Sequence, residues 1–298
     1  MVSNGGNMNH TIENEKIKLT VAEHGAEIRS LIRKADGVEI MWQADTAYWG
    51  RTSPVLFPLV GNYYQKKSIY DGKTYEMGQH GFARDMDFTL VEKSDSALMF
   101  KLEDDASTHE KYPFGFILKI GYRLSGDSVE VSWHVENIND TRMYFSIGAH
   151  PAFNCNLDTD SIRFSKSGKP CTEIKANVIA GDGSGCLSEE SDVYALTRGI
   201  LKMSDELFAK DALIVEGHQA DEVSLLDANL NEIVSVTCPT PLFGVWSPVN
   251  KHAPFMCIEP WYGRCDRVGF NQKLEEREYG NSLDAGEIFD SIYEIRIH

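Results

Sequence analysis

Alternation of apolar and other residues with a period of two dominates the middle of the chain. Residues 116–124 place an apolar side chain at every second position, and residues 129–135 repeat the pattern after the turn Ser125-Gly126-Asp127. Successive side chains of a β-strand point to opposite faces of its sheet, so this period gives each strand one buried face. Two such runs joined by a glycine-containing turn predict an antiparallel β-hairpin.

The same period recurs towards both ends of the chain and predicts an all-β fold. A second hairpin is expected at 88–92 and 98–102, and further strands are expected at 17–21, 27–33, 38–41, 223–226, 233–237 and 288–297. Less than about a fifth of the chain should be helical, because helical signals are confined to 45–49, 104–111 and 205–209. No alternation of strands with helices and no glycine-rich phosphate loop occurs, which argues against a nucleotide-binding α/β fold.

The chain of 298 residues is short enough to form one large all-β domain. Its longest turn-rich stretch, 181–185, has the length of a surface loop rather than that of a linker between domains. We therefore predict a single large antiparallel β-sandwich with a few short helices over residues 11–298, and a flexible N-terminal tail over residues 1–10.

Charge limits the partners that the surface can attract. Lys and Arg number 29 against 45 Asp and Glu, which gives a formal net charge of −16. Such a surface repels phosphate backbones and anionic lipids, so we expect neither nucleic acid nor a membrane as a partner. No run of about 18 apolar residues is present to span a bilayer. The charge does not oppose a neutral small molecule.

The cysteines and the first residues of the chain bear on the compartment. Six cysteines occur without Cys-x-x-Cys spacing, which argues against a zinc knuckle and against a disulfide scaffold. The first ten residues are polar and rich in Gly and Asn, without the apolar core of a secretion signal. We therefore expect a cytoplasmic protein with free thiols.

Three segments place chemically reactive side chains among apolar or glycine-rich neighbours. They carry His80 in Gly-Gln-His-Gly-Phe-Ala-Arg, His150 in Gly-Ala-His-Pro-Ala-Phe-Asn, and Glu259 in Ile-Glu-Pro-Trp. Each residue also has a purely structural interpretation, because a loop histidine can bind a backbone carbonyl and a buried glutamate can form a salt bridge. Their combination in one chain favours a shared acid and base site.

These segments, together with Arg51-Thr52-Ser53-Pro54-Val55-Leu56-Phe57-Pro58-Leu59-Val60-Gly61, resemble the aldose 1-epimerase (galactose mutarotase-like) superfamily, and within it the shorter LacX-type branch. The resemblance extends from Thr11 to the C-terminus. It implies a β-supersandwich with its active site on an open concave face, and an enzyme that interconverts the α and β anomers of a free hexose. We expect a small sugar as the substrate, no cofactor or metal, and a monomer or homodimer.

The resemblance also implies a role for each candidate residue. Glu259 would be the catalytic base and His150 the catalytic acid, with His80 as a second histidine near the ring oxygen of the sugar. Arg51 and Asp211 would bind the substrate. Anomer interconversion needs a base for the C1 hydroxyl and an acid for the ring oxygen, and histidine exchanges protons readily near neutral pH. The aromatic residues that could stack on the sugar are Phe153, Trp246, Trp261 and Tyr262.

The residues alone leave other functions open. Two histidines and a carboxylate could form a metal-binding facial triad, although neither histidine belongs to a His-x-His or His-x-Asp/Glu pair that would anchor it. Glu259 and Asp211 could instead serve a glycosidase, which needs two carboxylates across a glycosidic bond. A non-catalytic sugar-binding protein could also keep the same fold.

A hexose-phosphate mutarotase is the remaining alternative. Related enzymes with that specificity carry Arg-Gly-Gly where this chain has Arg51-Thr52-Ser53. A phosphate pocket could still form from basic side chains elsewhere, with Arg84, Arg264, Lys66 and Lys67 as the candidates. The sequence leaves the identity of the sugar undetermined.

Overall fold

A computed structural model describes residues 8–298 of the chain. Helical structure within these residues is confined to one short α-helix, α1 (Ala106–His109), and to four 3₁₀ turns, Tyr64–Lys66, Ala83–Asp85, Glu206–Phe208 and Leu274–Glu276. The strands are, in chain order, β1 (Asn9–Glu13), β2 (Ile17–Ala22), β3 (Ile28–Arg33), β4 (Val38–Glu39), β5 (Val55–Leu56), β6 (Lys67–Tyr70), β7 (Lys73–Glu76), β8 (Thr89–Lys93), β9 (Ala97–Glu103), β10 (Phe116–Ser125), β11 (Ser128–Asn137), β12 (Met143–Phe145), β13 (Ile147–Ala149), β14 (Ala152–Asn154), β15 (Ser161–Lys166), β16 (Lys169–Pro170), β17 (Glu173–Ile179), β18 (Leu187–Ala195), β19 (Ile200–Lys202), β20 (Leu213–Val215), β21 (Glu222–Leu226), β22 (Glu232–Thr237), β23 (Leu242–Trp246), β24 (Phe255–Tyr262), β25 (Asn281–Leu283) and β26 (Ile288–Ile297).

Two large antiparallel sheets form the body of the protein. The ten-stranded sheet has the order β16-β15-β21-β22-β26-β11-β10-β9-β8, with β19 also paired to β15. The eight-stranded sheet has the order β18-β17-β20-β23-β24-β13-β5, with β14 also paired to β24. A four-stranded sheet, β1-β2-β3-β4, and the pairs β6-β7 and β12-β25 complete the architecture. The predicted antiparallel all-β sandwich is thus confirmed.

The predicted hairpins follow from their alternation. β10 and β11 pair from Phe116 opposite Asn137 to Ser125 opposite Ser128, and β8 pairs with β9 as the second predicted hairpin. One continuous apolar core includes Trp133 from the ten-stranded sheet and Ile258 from the eight-stranded sheet. The sequence period therefore marks the face of each strand that enters the space between the sheets.

The eight-stranded sheet is buried on both faces at its middle strands. On β24, Met256 and Ile258 enter the core between the sheets, whereas Cys257 and Trp261 belong to separate apolar clusters on the opposite face. Glu259 shares the parity of Cys257 and Trp261, so it also points away from the core. This outer face of the eight-stranded sheet carries the candidate site.

The chain enters the fold earlier than the predicted tail over residues 1–10 allows. Asn9 pairs with Ala22 and His10 with Val21. Residues 9 and 10 therefore belong to β1 and not to the predicted tail. The ring of His10 is also bonded to Glu23 at 2.9 Å. Residues 1–7 lie outside the described residues.

The helix predicted at 45–49 is a turn. The carboxylate of Asp45 accepts a hydrogen bond from the backbone N–H of Ala47, and its carbonyl accepts from those of Tyr48 and Trp49. Aspartate favours such turns because its side chain mimics the backbone.

All six cysteines carry free thiols. Among residues 8–298, no helix combines the length and the hydropathy needed to cross a bilayer.

Candidate active site

A cleft of about 400 Å³ opens on the outer face of the eight-stranded sheet. The sheet contributes side chains from β20, β23 and β24, and the loops around them close the sides. The polar and aromatic residues that line the cleft are Tyr48, Trp49, Gln79, His80, Arg84, His150, Asp211, Trp246, Lys251, Glu259 and Trp261.

Strand register brings His150 opposite Glu259. β13 pairs with β24 at Gly148 opposite Trp261, and β14 resumes the same register on β24 at Ala152. Continuing this register from either side sets position 150 against position 259, at the break between β13 and β14. Directly opposed residues of antiparallel strands have Cβ atoms about 4.5–5.5 Å apart. Two side chains far apart in the sequence are therefore held next to each other.

The imidazole and the carboxylate are in contact, and both are buried. His150 Nε2 lies 3.2 Å from Glu259 Oε2, with side chains 9% and 1% exposed. Burial raises the pKa of Glu259 well above its ordinary value, and the charge of Asp211 raises this pKa further. Burial also lowers the pKa of His150, and the nearby Arg84 lowers it further. Both shifts favour the uncharged forms, a carboxylic acid and a neutral imidazole.

His80 lies against His150 and is fixed by its backbone contacts. The two rings have centroids 5.6 Å apart. Nδ1 of His80 accepts a hydrogen bond from the N–H of Gly61 at 3.1 Å, so the ring proton of neutral His80 is on Nε2. Burial, followed by the charges of His150 and Arg84, lowers the pKa of His80 well below its ordinary value. His80 is therefore a neutral hydrogen-bond donor.

Glycine follows His80 because no side chain fits at the next position. Gly81 has φ of +73°, and a Cβ there would lie 2.2 Å from the carbonyl oxygen of Phe57. The same oxygen accepts hydrogen bonds from the N–H groups of Phe82 and Ala83 at 3.0 and 3.1 Å. The backbone at Gly81 therefore lies close to that of Phe57, which follows β5, and only glycine permits this approach.

The pKa of His80 makes the pH dependence of stability testable. A lowered pKa in the folded state means that the unfolded chain binds the proton more readily, so stability falls as the pH drops below about 6.5. From pH 7.5 to 5.5 the unfolded chain takes up this proton and the folded chain does not, which should lower the free energy of unfolding by roughly 1 kcal/mol. Asparagine tolerates the φ of +66° at this position. Over this pH range, the free energy of unfolding measured in urea should fall by roughly 1 kcal/mol less for His80→Asn than for the wild type. Equal losses would show that burial does not hold His80 neutral.

Three indoles form the apolar walls of the cleft. The Trp49 ring lies 4.7 Å from the ring of His150, and the Trp246 ring lies 5.4 Å from it. Trp261 lies against the sheet, where a Cβ at Gly148 or at Gly244 would come within 2.5 Å of its ring. Flat aromatic faces of this kind suit the C–H surface of a pyranose.

The structure places some of the candidate residues from the sequence in the cleft and others outside it. Arg51 does not line the cleft, because its Nη2 is bonded to Asp85 Oδ1 at 2.6 Å, and Arg84 lines the cleft instead. Among the aromatic candidates, Phe153 and Tyr262 pack with the core. The candidates that the structure brings together in the cleft are His80, His150, Asp211, Glu259, Trp246 and Trp261. Sequence reasoning did not identify Trp49.

Buried polar atoms without hydrogen-bond partners concentrate in the cleft. Eight such side-chain atoms occur in residues 8–298, and four belong to residues that line the cleft: Arg84 Nε, His150 Nδ1, Glu259 Oε2 and Trp261 Nε1. The 3.2 Å contact of Glu259 Oε2 with His150 Nε2 is not a hydrogen bond. Each unpaired buried group costs about 1–3 kcal/mol. A bound molecule with several hydroxyl groups could supply both the donors and the acceptors that these atoms lack.

One set of side chains near the cleft has the donors of a metal site. Ligand atoms of His150, Cys257 and Glu259 all lie within 4.8 Å of one another. This set differs from the facial triad considered from the sequence, because it contains a thiol in place of His80. Burial raises the pKa of the Cys257 thiol well above its ordinary value, which opposes the thiolate form that coordinates metals. A metal ion that used this donor set would have to displace the proton of the buried thiol.

The fold is a mutarotase-like β-supersandwich, and its cleft holds a buried histidine and glutamate in contact between aromatic walls. The chain belongs to the aldose 1-epimerase family, whose sequence model matches residues 8–272. This confirms the resemblance inferred from the motifs.

Comparisons with individual proteins agree with this assignment and support the LacX-type branch. The plasmid and chromosomal LacX proteins of Lactococcus lactis are 28% identical over 276 residues, which covers 89% of this chain and 91% of each relative. A galactose mutarotase related enzyme from Lactobacillus acidophilus has a TM-score of 0.90 at 35% identity, covering 98% of this chain and 97% of that chain. A galactose mutarotase-like protein from Lactobacillus casei has a TM-score of 0.89 at 30% identity, covering 98% and 100%.

Proposed function

We propose that the protein is an aldose 1-epimerase that acts on a free, unphosphorylated hexose. The observation that carries the proposal is the 3.2 Å contact between His150 Nε2 and Glu259 Oε2 in a cleft with indole walls. Sugar binding alone needs hydrogen bonds and stacking, but it does not need an acid and a base side by side. Family membership supports the same reaction class.

Ring opening uses the two groups together. The carboxylate of Glu259 takes the proton from the C1 hydroxyl, and the C1 oxygen forms a carbonyl as the bond from C1 to the ring oxygen breaks. The electron pair of that bond passes to the ring oxygen, which receives a proton from His150. Rotation about the C1–C2 bond then exposes the other face of the aldehyde. Closure reverses both proton transfers and gives the opposite anomer.

The proton count of the pair stays constant through this cycle. Before ring opening the pair is an imidazolium and a carboxylate. Afterwards it is a neutral imidazole and a carboxylic acid, so the net charge of the pair stays at zero. Burial favours the uncharged distribution, with the proton on Glu259. A hydroxyl that donates to Glu259 stabilises the carboxylate form when sugar is bound. Binding of the sugar therefore favours the deprotonated form of Glu259 that ring opening requires.

The other residues of the cleft have positioning roles in this proposal. The Nε2–H of His80 donates to the ring-oxygen side of the sugar, and Asp211 accepts hydrogen bonds from hydroxyls at the far end. Trp49 and Trp246 stack on C–H faces. Arg51 would reach the substrate only by releasing Asp85, so Arg84 is the cation better situated to contact it.

An unphosphorylated substrate is supported by the contacts of the basic residues. Arg264 is buried and bound by Glu216 and Glu278, and Lys67 pairs with Glu76 at 3.5 Å. Neither of these cations lines the cleft. Of the phosphate-pocket candidates from the sequence, only Arg84 lines the cleft. The other lysine or arginine there is Lys251, whose Nζ donates to the backbone carbonyls of Ala47 and Tyr48.

Polarimetry tests the proposed function. The purified protein should accelerate the relaxation of freshly dissolved α-glucose or α-galactose in proportion to enzyme concentration, relative to heat-inactivated protein. Faster relaxation of hexose 6-phosphates than of both free sugars would contradict the proposed substrate. No acceleration with any of these sugars would contradict the proposed reaction.

Metal removal gives a separate prediction. Proton transfer between side chains and sugar needs no Lewis acid, so exhaustive EDTA treatment should leave the rate within about twofold of its original value. The matched control is the same protein dialysed without EDTA. A large loss that one divalent cation restores would show that a metal takes part in the reaction.

A further inference from the structure

The loop at 247–254, which joins β23 to β24, lies along the active-site cleft. Pro248, Val249 and Lys251 of this loop line the cleft. Trp246, the last residue of β23, forms one of the indole walls. The loop is therefore placed where its side chains can act on the walls of the cleft.

The ammonium group of Lys251 binds the turn that carries Trp49. Its Nζ donates to the carbonyl oxygen of Tyr48 at 2.7 Å and to that of Ala47 at 3.2 Å. The carbonyl of Tyr48 belongs to the peptide unit that leads into Trp49. Hydrogen bonds from a charged donor are roughly twice as strong as those between neutral groups, so Lys251 attaches this peptide unit firmly.

Further backbone hydrogen bonds of this turn are local to its own segment. The N–H groups of Tyr48 and Trp49 donate to the carbonyl oxygen of Asp45 at 3.0 and 2.9 Å. The carbonyl oxygen of Trp49 accepts a hydrogen bond from the indole N–H of Trp42 at 2.9 Å. These bonds shape the turn, whereas the Lys251 contact joins it to the loop at 247–254.

We propose that Lys251 is a positioning residue, which holds the Trp49 indole at the cleft so that it stacks on the sugar. The inference rests on the proposed function, which gives Trp49 its contact with a C–H face of the substrate. The centroid of the Trp49 ring lies 4.7 Å from that of His150, at an interplanar angle of 30°. A sugar bound at His150 and Glu259 therefore meets a wall whose position Lys251 sets.

Contacts on its other side hold the loop at 247–254 in place without Lys251. Nδ1 of His252 lies 2.9 Å from Asp205 Oδ2, which ties the loop to a different segment of the chain. Ala253 is buried in an apolar cluster. Loss of the Lys251 ammonium should therefore release the turn at 45–49 while the loop keeps its position.

This role affects sugar binding rather than proton transfer. Carbonyl oxygens occupy two of the three N–H donors of Lys251, and Glu259 and His150 supply the proton transfers of the proposed reaction. Stacking on a C–H face is present in the ground state and in the transition state alike. Weaker stacking should therefore raise KM and leave kcat nearly unchanged.

The test measures kcat and KM for glucose and galactose in Lys251→Met, Lys251→Arg, Trp49→Ala, and the double variant of Lys251→Met with Trp49→Ala. Methionine keeps an unbranched stem and removes the donor, whereas arginine keeps a charged donor. Lys251 is exposed, so neither change disturbs the core. Lys18→Met, at an exposed position on β2, is the matched control.

Lys251→Met should raise KM for both sugars by about fivefold and change kcat by less than about twofold. Lys251→Arg and the Lys18→Met control should stay within about twofold of the wild type in both values. Trp49→Ala should raise KM by about tenfold. Adding Lys251→Met to Trp49→Ala should raise KM by less than about twofold further, because residues that act through one contact are not additive.

Three results would overturn the inference while the epimerase activity stands. They are an unchanged KM in Lys251→Met, an equal rise of KM in Lys251→Met and Lys251→Arg, and a rise of KM by the same factor with and without Trp49. The last result would show that Lys251 does not act through Trp49. No acceleration with any sugar by the wild type would reject the proposed function itself, and the inference with it.

Discussion

Replacing Glu259 by glutamine is expected to reduce kcat for anomer interconversion by at least about two orders of magnitude, within the 10²–10⁴-fold that general acid and base catalysis contributes. The amide keeps the size of the carboxylate but cannot take the proton from the C1 hydroxyl. KM should change much less, because the lost interaction acts mainly in the transition state. Anomer exchange at saturating sugar gives kcat, and the concentration dependence gives KM.

The control for this change is Glu173→Gln, which makes the same substitution at an exposed position on β17. It should retain wild-type kcat and KM. Thermal unfolding of both variants establishes that they are folded before rates are compared. If Glu259→Gln retains near wild-type turnover while folded, Glu259 is not the base.

Replacing His150 by asparagine should have an effect of similar size, again at least about two orders of magnitude in kcat. Asparagine keeps polar contacts but cannot deliver a proton to the ring oxygen. Combining His150→Asn with Glu259→Gln should cost less than the product of the two single losses, since the 3.2 Å contact makes acid and base one unit. His80→Asn should be milder, because His80 donates a hydrogen bond without transferring its proton.

His134→Asn is the matched control for His150→Asn. His134 is on β11 in the other sheet, bonded to Asp290 at 2.8 Å, and it does not line the cleft. Its loss should leave kcat unchanged. Single losses that multiply fully in the double variant would contradict the paired mechanism, because they would show that the two groups act independently.

The strands that could be predicted from the sequence are those with one buried face. β10 and β11 alternate because only one face of each enters the core, so their pairing follows from the residues. The strands that carry the site were not predicted, because β20, β23 and β24 are buried on both faces at the middle of their sheet. Such strands are nearly continuous apolar runs, and the period of two disappears from them.

In the candidate site, too, the residues within sequence motifs could be predicted, and those positioned by tertiary packing could not. His80, His150 and Glu259 could be identified because each sits in a recognisable segment, and strand register then explains why two of them meet. The positions of Arg51 and Trp49 depend on contacts between loops. Arg51 turns towards Asp85, and the segment that carries Trp49 is a turn whose aromatic residue faces His150. No local period or spacing encodes such contacts.

Exchange NMR on [1-¹³C]-labelled glucose and galactose in D₂O tests the central claim most directly. The account predicts cross-peaks between the α and β C1 signals, with a rate proportional to the concentration of wild-type protein. It predicts no deuterium at C1 or C2, because only hydroxyl and ring-oxygen protons move, and no acceleration by Glu259→Gln. Deuterium at C2, or equal exchange rates with and without the wild-type protein for both sugars, would contradict it.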